Sequence, residues 1–172
     1  VVLVAPMIHI GPEALPPKAV QWIFEHVVAC AAPQADILPS KDISALAWSD
    51  PAIRQQVQQS PLGMGRKLRV RTALELMKAT AWMSARLEQI RTPLLVLHAE
   101  HDQVTLSSCS VMLHQRAASA DKQLRLFEHG MHAELLHGGP RVRAVMDDAL
   151  AATATWLRAR TTCPAPGLAI GA

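Results

Sequence analysis

The chain has 172 residues, half of them hydrophobic and 18% charged, with a formal net charge of +3; this is ordinary globular material, enough for one domain. Four Trp, two Phe and no Tyr leave few stacking platforms, so nucleic acid is not an expected partner, and no apolar run reaches the roughly 18 residues a membrane span needs. Three cysteines (Cys30, Cys109 and Cys163) are too few and too scattered for a disulfide framework or a zinc site, which favours a reducing compartment.

Val1 to Ile8 is a continuous β-branched-rich run without alternation, the pattern of a strand buried on both faces of a parallel sheet. Pro6 ends its pairing, because proline has no N–H to donate. The run opens on Val1 rather than Met, so a front segment is expected before it. Residues 9–90 then read as helical. Pro17 sits at a first helical turn, and Val20, Ile23, Phe24, Val27, Val28 and Ala31 follow at the spacing of one amphipathic face. Pro33 closes that helix, and Ile37 to Pro39 is expected to be extended. Asp50-Pro51 is an N-cap followed by proline at the first helical position. Gly63 to Arg71 is a basic loop, after which Thr72 is expected to cap a helix with Leu76, Thr80, Met83, Leu87 and Ile90 on one stripe.

Pro93 restarts β structure through Leu97. Ser107 or Ser108 is expected to cap a helix running to about Ala120, and Gln123 to Phe127 alternates weakly as a strand. Pro140 opens the last helix, with Val142, Val145, Met146, Ala149, Leu150, Trp156 and Leu157 at helical spacing to Arg160. The tail, residues 161–172, reads as disordered. The order is strand, long helical excursion, strand, acid, helix, strand, histidine, helix: the second half of a doubly wound α/β sheet. An excursion of about 80 residues where 2–6 are usual marks it as functional.

Two apolar runs end by delivering a titratable side chain. Leu94 to Ala99 leads to Asp102, and the segment ending at Phe127 leads to His129 and His132. Open α/β sheets present reactive groups at the carboxyl ends of their strands. Asp102 is read as the acid partner of a histidine, against the ordinary reading of a turn or capping carboxylate. His132 is the candidate base and His129 the alternative. Neither Gly-x-Ser-x-Gly nor any other glycine-flanked serine stands between Val1 and Ala172. Ser107, Ser108 and Ser110 read as helix cap and first turn, and Cys109 follows the acid, on the wrong side of it for a nucleophile. Eight histidines raise a metal site around His98, His101, His129, His132 and His137, but their spacing is not His-Glu-x-x-His. His98 lies in a strand and is expected to pack or hydrogen-bond locally; no metal or other cofactor is implied.

On these stretches the chain resembles the monoglyceride lipase-like branch of the α/β-hydrolases, which includes plant acylglycerol lipases and caffeoylshikimate esterases. The matching stretches are Val2 to Met7, Pro39 to Ile43, Pro51 to Arg54, Gly65-Arg66, Arg71 to Leu76, Phe127 to Leu136, Trp156-Leu157 and, most specifically, Pro93 to Thr105. The resemblance implies Asp102 as triad acid, His132 as triad base, residues 1–8 and 91–160 as the C-terminal part of the core, and residues 9–90 as a helical cap. It also implies that the earlier strands and the serine elbow precede Val1. Where the family tends toward Gly-Met-aromatic-His, Met131 here abuts His132 directly, and Glu134 stands as an extra residue just after.

The expected function is therefore a serine hydrolase of carboxylic esters, of monoacylglycerol lipase type, with this chain alone inactive. The alternatives are a truncated or degenerate relative that only binds, and an esterase of phenolic esters. Met64, Met77 and Met83 are candidates for an acyl-chain pocket or for plain core. Arg66, Lys67, Arg69 and Arg71 are a solvated loop or a contact with anionic lipid head groups. The expected partner is a small-molecule ester or lipid, in a cytoplasmic or membrane-peripheral setting.

Overall fold

The computed structural model describes residues 1–10, 15–35, 43–61 and 69–161. Among them the chain runs β1 (Val2–Val4), α1 (Lys18–Ile23), α2 (Ala29–Ala31), α3 (Ser44–Ala47), α4 (Pro51–Gln59), α5 (Val70–Ser84), β2 (Leu94–Ala99), α6 (Ser107–Arg116), β3 (Lys122–Phe127) and α7 (Arg143–Arg158). A π-helical stretch, Phe24–Val28, joins α1 to α2. The three strands form one parallel sheet in the order β1-β2-β3, with Leu3 opposite Val96 and Val96 opposite Leu124. No helix among the described residues is long and apolar enough to cross a membrane.

All six residues of β2 are buried, because the strand has a partner on each side and helices on both faces. Period-2 alternation sorts its side chains. Leu94 and Val96 join Ile8, Leu87, Leu113 and Ala117 in one cluster, together with Met83 and Ile90. Leu95 and Leu97 join Phe127, Leu135, Ala149 and Trp156 in the other. His98 shares the parity of Leu94 and Val96 and so points toward α6, while Ala99 points the other way. β1 and β3 are the two outer strands of this sheet, and neither is buried throughout as β2 is.

The observed elements depart from the sequence pattern in five places. Strand pairing in β1 stops at Val4, because Ala5 turns into a left-handed conformation at φ 45° immediately before Pro6. The cap of α5 is Arg69, not Thr72. α6 is capped by Leu106, with Ser107 and Ser108 inside its first turn, and it ends at Arg116, where Ala117 becomes extended. The stripe through α1 and α2 is split. Phe24 and Val28 pack on Val70 and Leu74, whereas Ile23 and Val27, one position back on the helix, are exposed. On α7, Ala149 and Trp156 are buried while Leu150 and Leu157 face outward, because a helix on a sheet buries a narrower stripe than its apolar residues span.

The expected extended stretch at Ile37 to Pro39, the residues Met64, Arg66 and Lys67, and the tail beyond residue 161 lie outside the described residues. Arg69 donates to Gln34 Oε1, and Arg71 makes an exposed ion pair with Glu75.

Candidate active site

Parallel strands leave a sheet in the same direction, so the loops after neighbouring strands meet at one edge. β2 ends at Ala99, and a short turn follows in which Glu100 N–H donates to Phe127 O at 2.8 Å, binding the two loops at their roots. Asp102 N–H then donates back to Ala99 O. After Phe127 the chain turns at Gly130, whose φ of +104° disfavours any side chain. Met131 and His132 follow directly.

This brings Asp102 and His132 together. His132 Nδ1 lies 2.7 Å from Asp102 Oδ2. Asp102 is 5% exposed and accepts from five donors. Its Oδ1 takes the N–H groups of Val104 and Thr105 at 2.7 and 3.0 Å, an Asx-type turn closed by its own loop. Its Oδ2 takes His132, His98 Nε2–H at 3.1 Å and the Thr105 hydroxyl at 3.1 Å. That hydroxyl also reaches the carbonyl of Ala5, at the left-handed turn ending β1.

Burial alone would raise the Asp102 pKa. The hydrogen bonds from His132, His98 and the Thr105 and Val104 amides outweigh it and hold the carboxyl well below the ordinary carboxylate range. An ionised Asp102 can only accept, so His132 places its proton on Nδ1. Its Nε2 then has a free lone pair, has no hydrogen-bond partner among the described residues, and belongs to a side chain that is 26% exposed. A base of this kind can take a proton from a hydroxyl presented on its open side. His129, the alternative, is exposed and makes no bond to the acid.

The loop bearing His132 is fastened from the helical excursion. Glu134 is 1% exposed. Its Oε1 accepts from Ser49 N–H and Ser49 Oγ–H, each at 2.6 Å, and its Oε2 accepts from Met131 N–H at 2.8 Å. Ala133 N–H donates to Ala47 O, and Trp48 Nε1–H to His137 O. Asp50 lies so close to Gly139 that a Cβ there would meet its carboxylate at 2.3 Å.

The sequence pattern had pointed to Asp102 and His132, and the structure joins them. The pattern did not reveal the parts played by Thr105 and Glu134, nor the bond between the Ser110 hydroxyl and His98 Nδ1 at 2.6 Å. A buried glutamate two residues past a candidate base was the one available signal. No group of three or more metal-ligating side chains converges among the described residues, and His98 and His132 Nδ1 are both bonded to Asp102.

The family model described as serine aminopeptidase, S33, matches residues 1–140. The chain belongs to this α/β-hydrolase family. Over 136 residues it is 29% identical to the caffeoylshikimate esterase of Arabidopsis thaliana, covering 79% of this chain and 40% of that protein. Its fold matches a soluble variant of monoglyceride lipase from Saccharomyces cerevisiae, solved with a substrate analog. That match has a TM-score of 0.70 and 20% identity, over 94% of this chain and 53% of that one. It also matches the monoacylglycerol lipase of Paleococcus ferrophilus with a TM-score of 0.64 and 18% identity, over 91% of this chain and 58% of that one. These structural likenesses show that the chain has the fold of those two lipases. The chain spans between 40% and 58% of the length of these relatives.

Proposed function

We propose that these residues supply the acid and the base of a Ser-Asp-His triad in an esterase of monoacylglycerol lipase type, with the serine outside the 172 residues. The observation that supports this most directly is the 2.7 Å bond between Asp102 and His132 Nδ1, which leaves Nε2 open at the edge where β2 and β3 end. In this reading His132 takes the serine proton as the hydroxyl attacks the ester carbonyl. It then returns that proton to the leaving alcohol, and it activates the water that frees the acid. Asp102 fixes the tautomer and stabilises the imidazolium. The helical excursion of residues 9–90 is the cap that shapes the acyl site. An alternative substrate class is phenolic esters, favoured by the 29% identity to the caffeoylshikimate esterase.

The test uses the full-length protein with a long-chain monoacylglycerol and a caffeoyl ester as substrates. Asp102→Ala and His132→Ala should each lower kcat by at least about 10³-fold, and the 172 residues alone should hydrolyse neither ester. An unimpaired His132→Ala enzyme would remove the triad assignment. Full-length protein inert toward esters would favour a relative that only binds. Exchanging residues 9–90 with those of a relative should carry the ester preference with them.

A further inference from the structure

We propose that His98 is a positioning residue for the Asp102–His132 pair, holding the acid from behind in a buried chain that runs Ser110–His98–Asp102–His132. The proposal rests on the reading of Asp102 and His132 given above.

The side chain of His98 is wholly inaccessible to solvent, in a strand whose other buried side chains are all aliphatic. An imidazole there is unfavourable unless each ring nitrogen is bonded, and both are. Nε2 faces two acceptors, Asp102 Oδ2 at 3.1 Å and Thr105 O at 2.9 Å. Neither of those can donate, so Nε2 bears the proton. Nδ1 faces only the hydroxyl of Ser110, at 2.6 Å, so in neutral His98 it is Ser110 that donates. Ser110 is itself fully buried in α6. Its position is thus set by helix packing on the sheet, and with it the tautomer of His98.

The result is a carboxylate gripped at both oxygens. The loop amides fix Oδ1. The oxygen that receives His132 is fixed from the opposite side by His98, which cannot move because β2 is the central strand. An acid tied only to its own loop would follow every motion of that loop. Tied also to β2 and α6, it holds the His132 ring against the sheet, and small misplacements of a general base have large kinetic effects. A histidine retained only for packing would show none of these directional demands.

The decisive comparison is between two amides in the full-length enzyme. His98→Gln can place a side-chain N–H near the position of Nε2, whereas His98→Asn reaches only as far as Nδ1. His98→Asn should lower kcat by about 10- to 100-fold with KM unchanged, and His98→Gln should recover most of that loss. The downfield proton resonance of the His132–Asp102 bond should broaden or move in His98→Asn and return in His98→Gln. Ser110→Ala, a smaller change that keeps the fold should His98→Asn fail to fold, should lower kcat several-fold at constant KM. Two results would overturn the proposal: wild-type kcat and an unmoved resonance in folded His98→Asn or in Ser110→Ala, or equal damage from Gln and Asn in folded proteins. A silent His132→Ala would instead count against the parent reading, and the proton resonance would still report whether His98 holds the acid.

Discussion

Two apolar stretches of this chain meet water in opposite ways. Leu94–Ala99 is buried at every position. In the stretch from Lys18 to Ala31, only Ala29 is buried, while Trp22, Ile23 and Val27 are 57%, 47% and 51% exposed. Both are rich in large hydrophobic residues. The difference lies in what surrounds them: β2 is enclosed by two strands and by helices on both faces, whereas the α1–α2 rod rests on α5 along one narrow seam at Phe24, Val28, Val70 and Leu74. Apolar content therefore marks what can be buried, and neighbours decide what is.

The comparison is broken most directly by truncating one residue from each stretch. Leu97→Ala should lower unfolding free energy by about 2–5 kcal/mol, since a wholly enclosed side chain leaves a cavity. Val27→Ala should change it by no more than about 0.5 kcal/mol, as exposed substitutions usually do. Denaturant titration of the two variants checks this. A Val27→Ala loss as large as that of Leu97→Ala would mean that the exposed face of the rod is covered in solution.

A second contrast concerns pH. The Asp102 carboxyl is held well below its ordinary range by its hydrogen bonds, despite burial. Its ionised form consequently adds stability that is fully present above the ordinary carboxylate pKa of about 4 and fades as pH falls below it. Replacing it by Asn should destabilise the protein at pH 7, and the gap between wild type and Asp102→Asn should narrow from about pH 4 downward. Glu75, in an exposed ion pair with Arg71, should give no comparable effect on changing to Gln. Thermal melts across pH 2–7 measure both.

The sheet was legible in the sequence because its signals are local and redundant. An uninterrupted run such as Leu94 to Leu97 admits few readings, and Pro93 marks its start. Asp102 and His132 stood out because each follows a strand end, and in the structure it is His132, not His129, that bonds Asp102. The helical excursion was less so. Its apolar face is wider than the seam that Phe24 and Val28 make with Val70 and Leu74, and periodicity cannot register which part of a face finds a neighbour. The support around the acid was hidden for another reason. Ser110 reaches His98 only through the packing of α6 on β2, and the Thr105 hydroxyl beside Asp102 is also met by the Ala5 carbonyl at the end of β1, 100 positions away. Residue type alone assigned Ser110 to a helix turn, which is also true.

Glu134 is where the two regions meet, and it offers the finest test of how they are coupled. Its carboxylate ties Ser49 of the helical excursion to Met131 beside His132. Removing it in Glu134→Ala leaves the amides of Ser49 and Met131 without their acceptor in a nearly dry place, an effect of about 1–3 kcal/mol. Ser49→Ala removes only one hydroxyl donor and should weaken the protein by about 0.5–1.5 kcal/mol. The location of the damage matters more than its size. Ala133 N–H, which bonds Ala47 O across the junction, should lose protection from hydrogen exchange in Glu134→Ala, whereas the amides of β2 should keep theirs relative to global unfolding. That result would show the excursion undocking from the His132 loop while the sheet stays closed. If Ala133 and the β2 amides instead exchange together in the variant, the junction is part of the same cooperative unit as the core, and the contrast between the two regions ends at their surfaces.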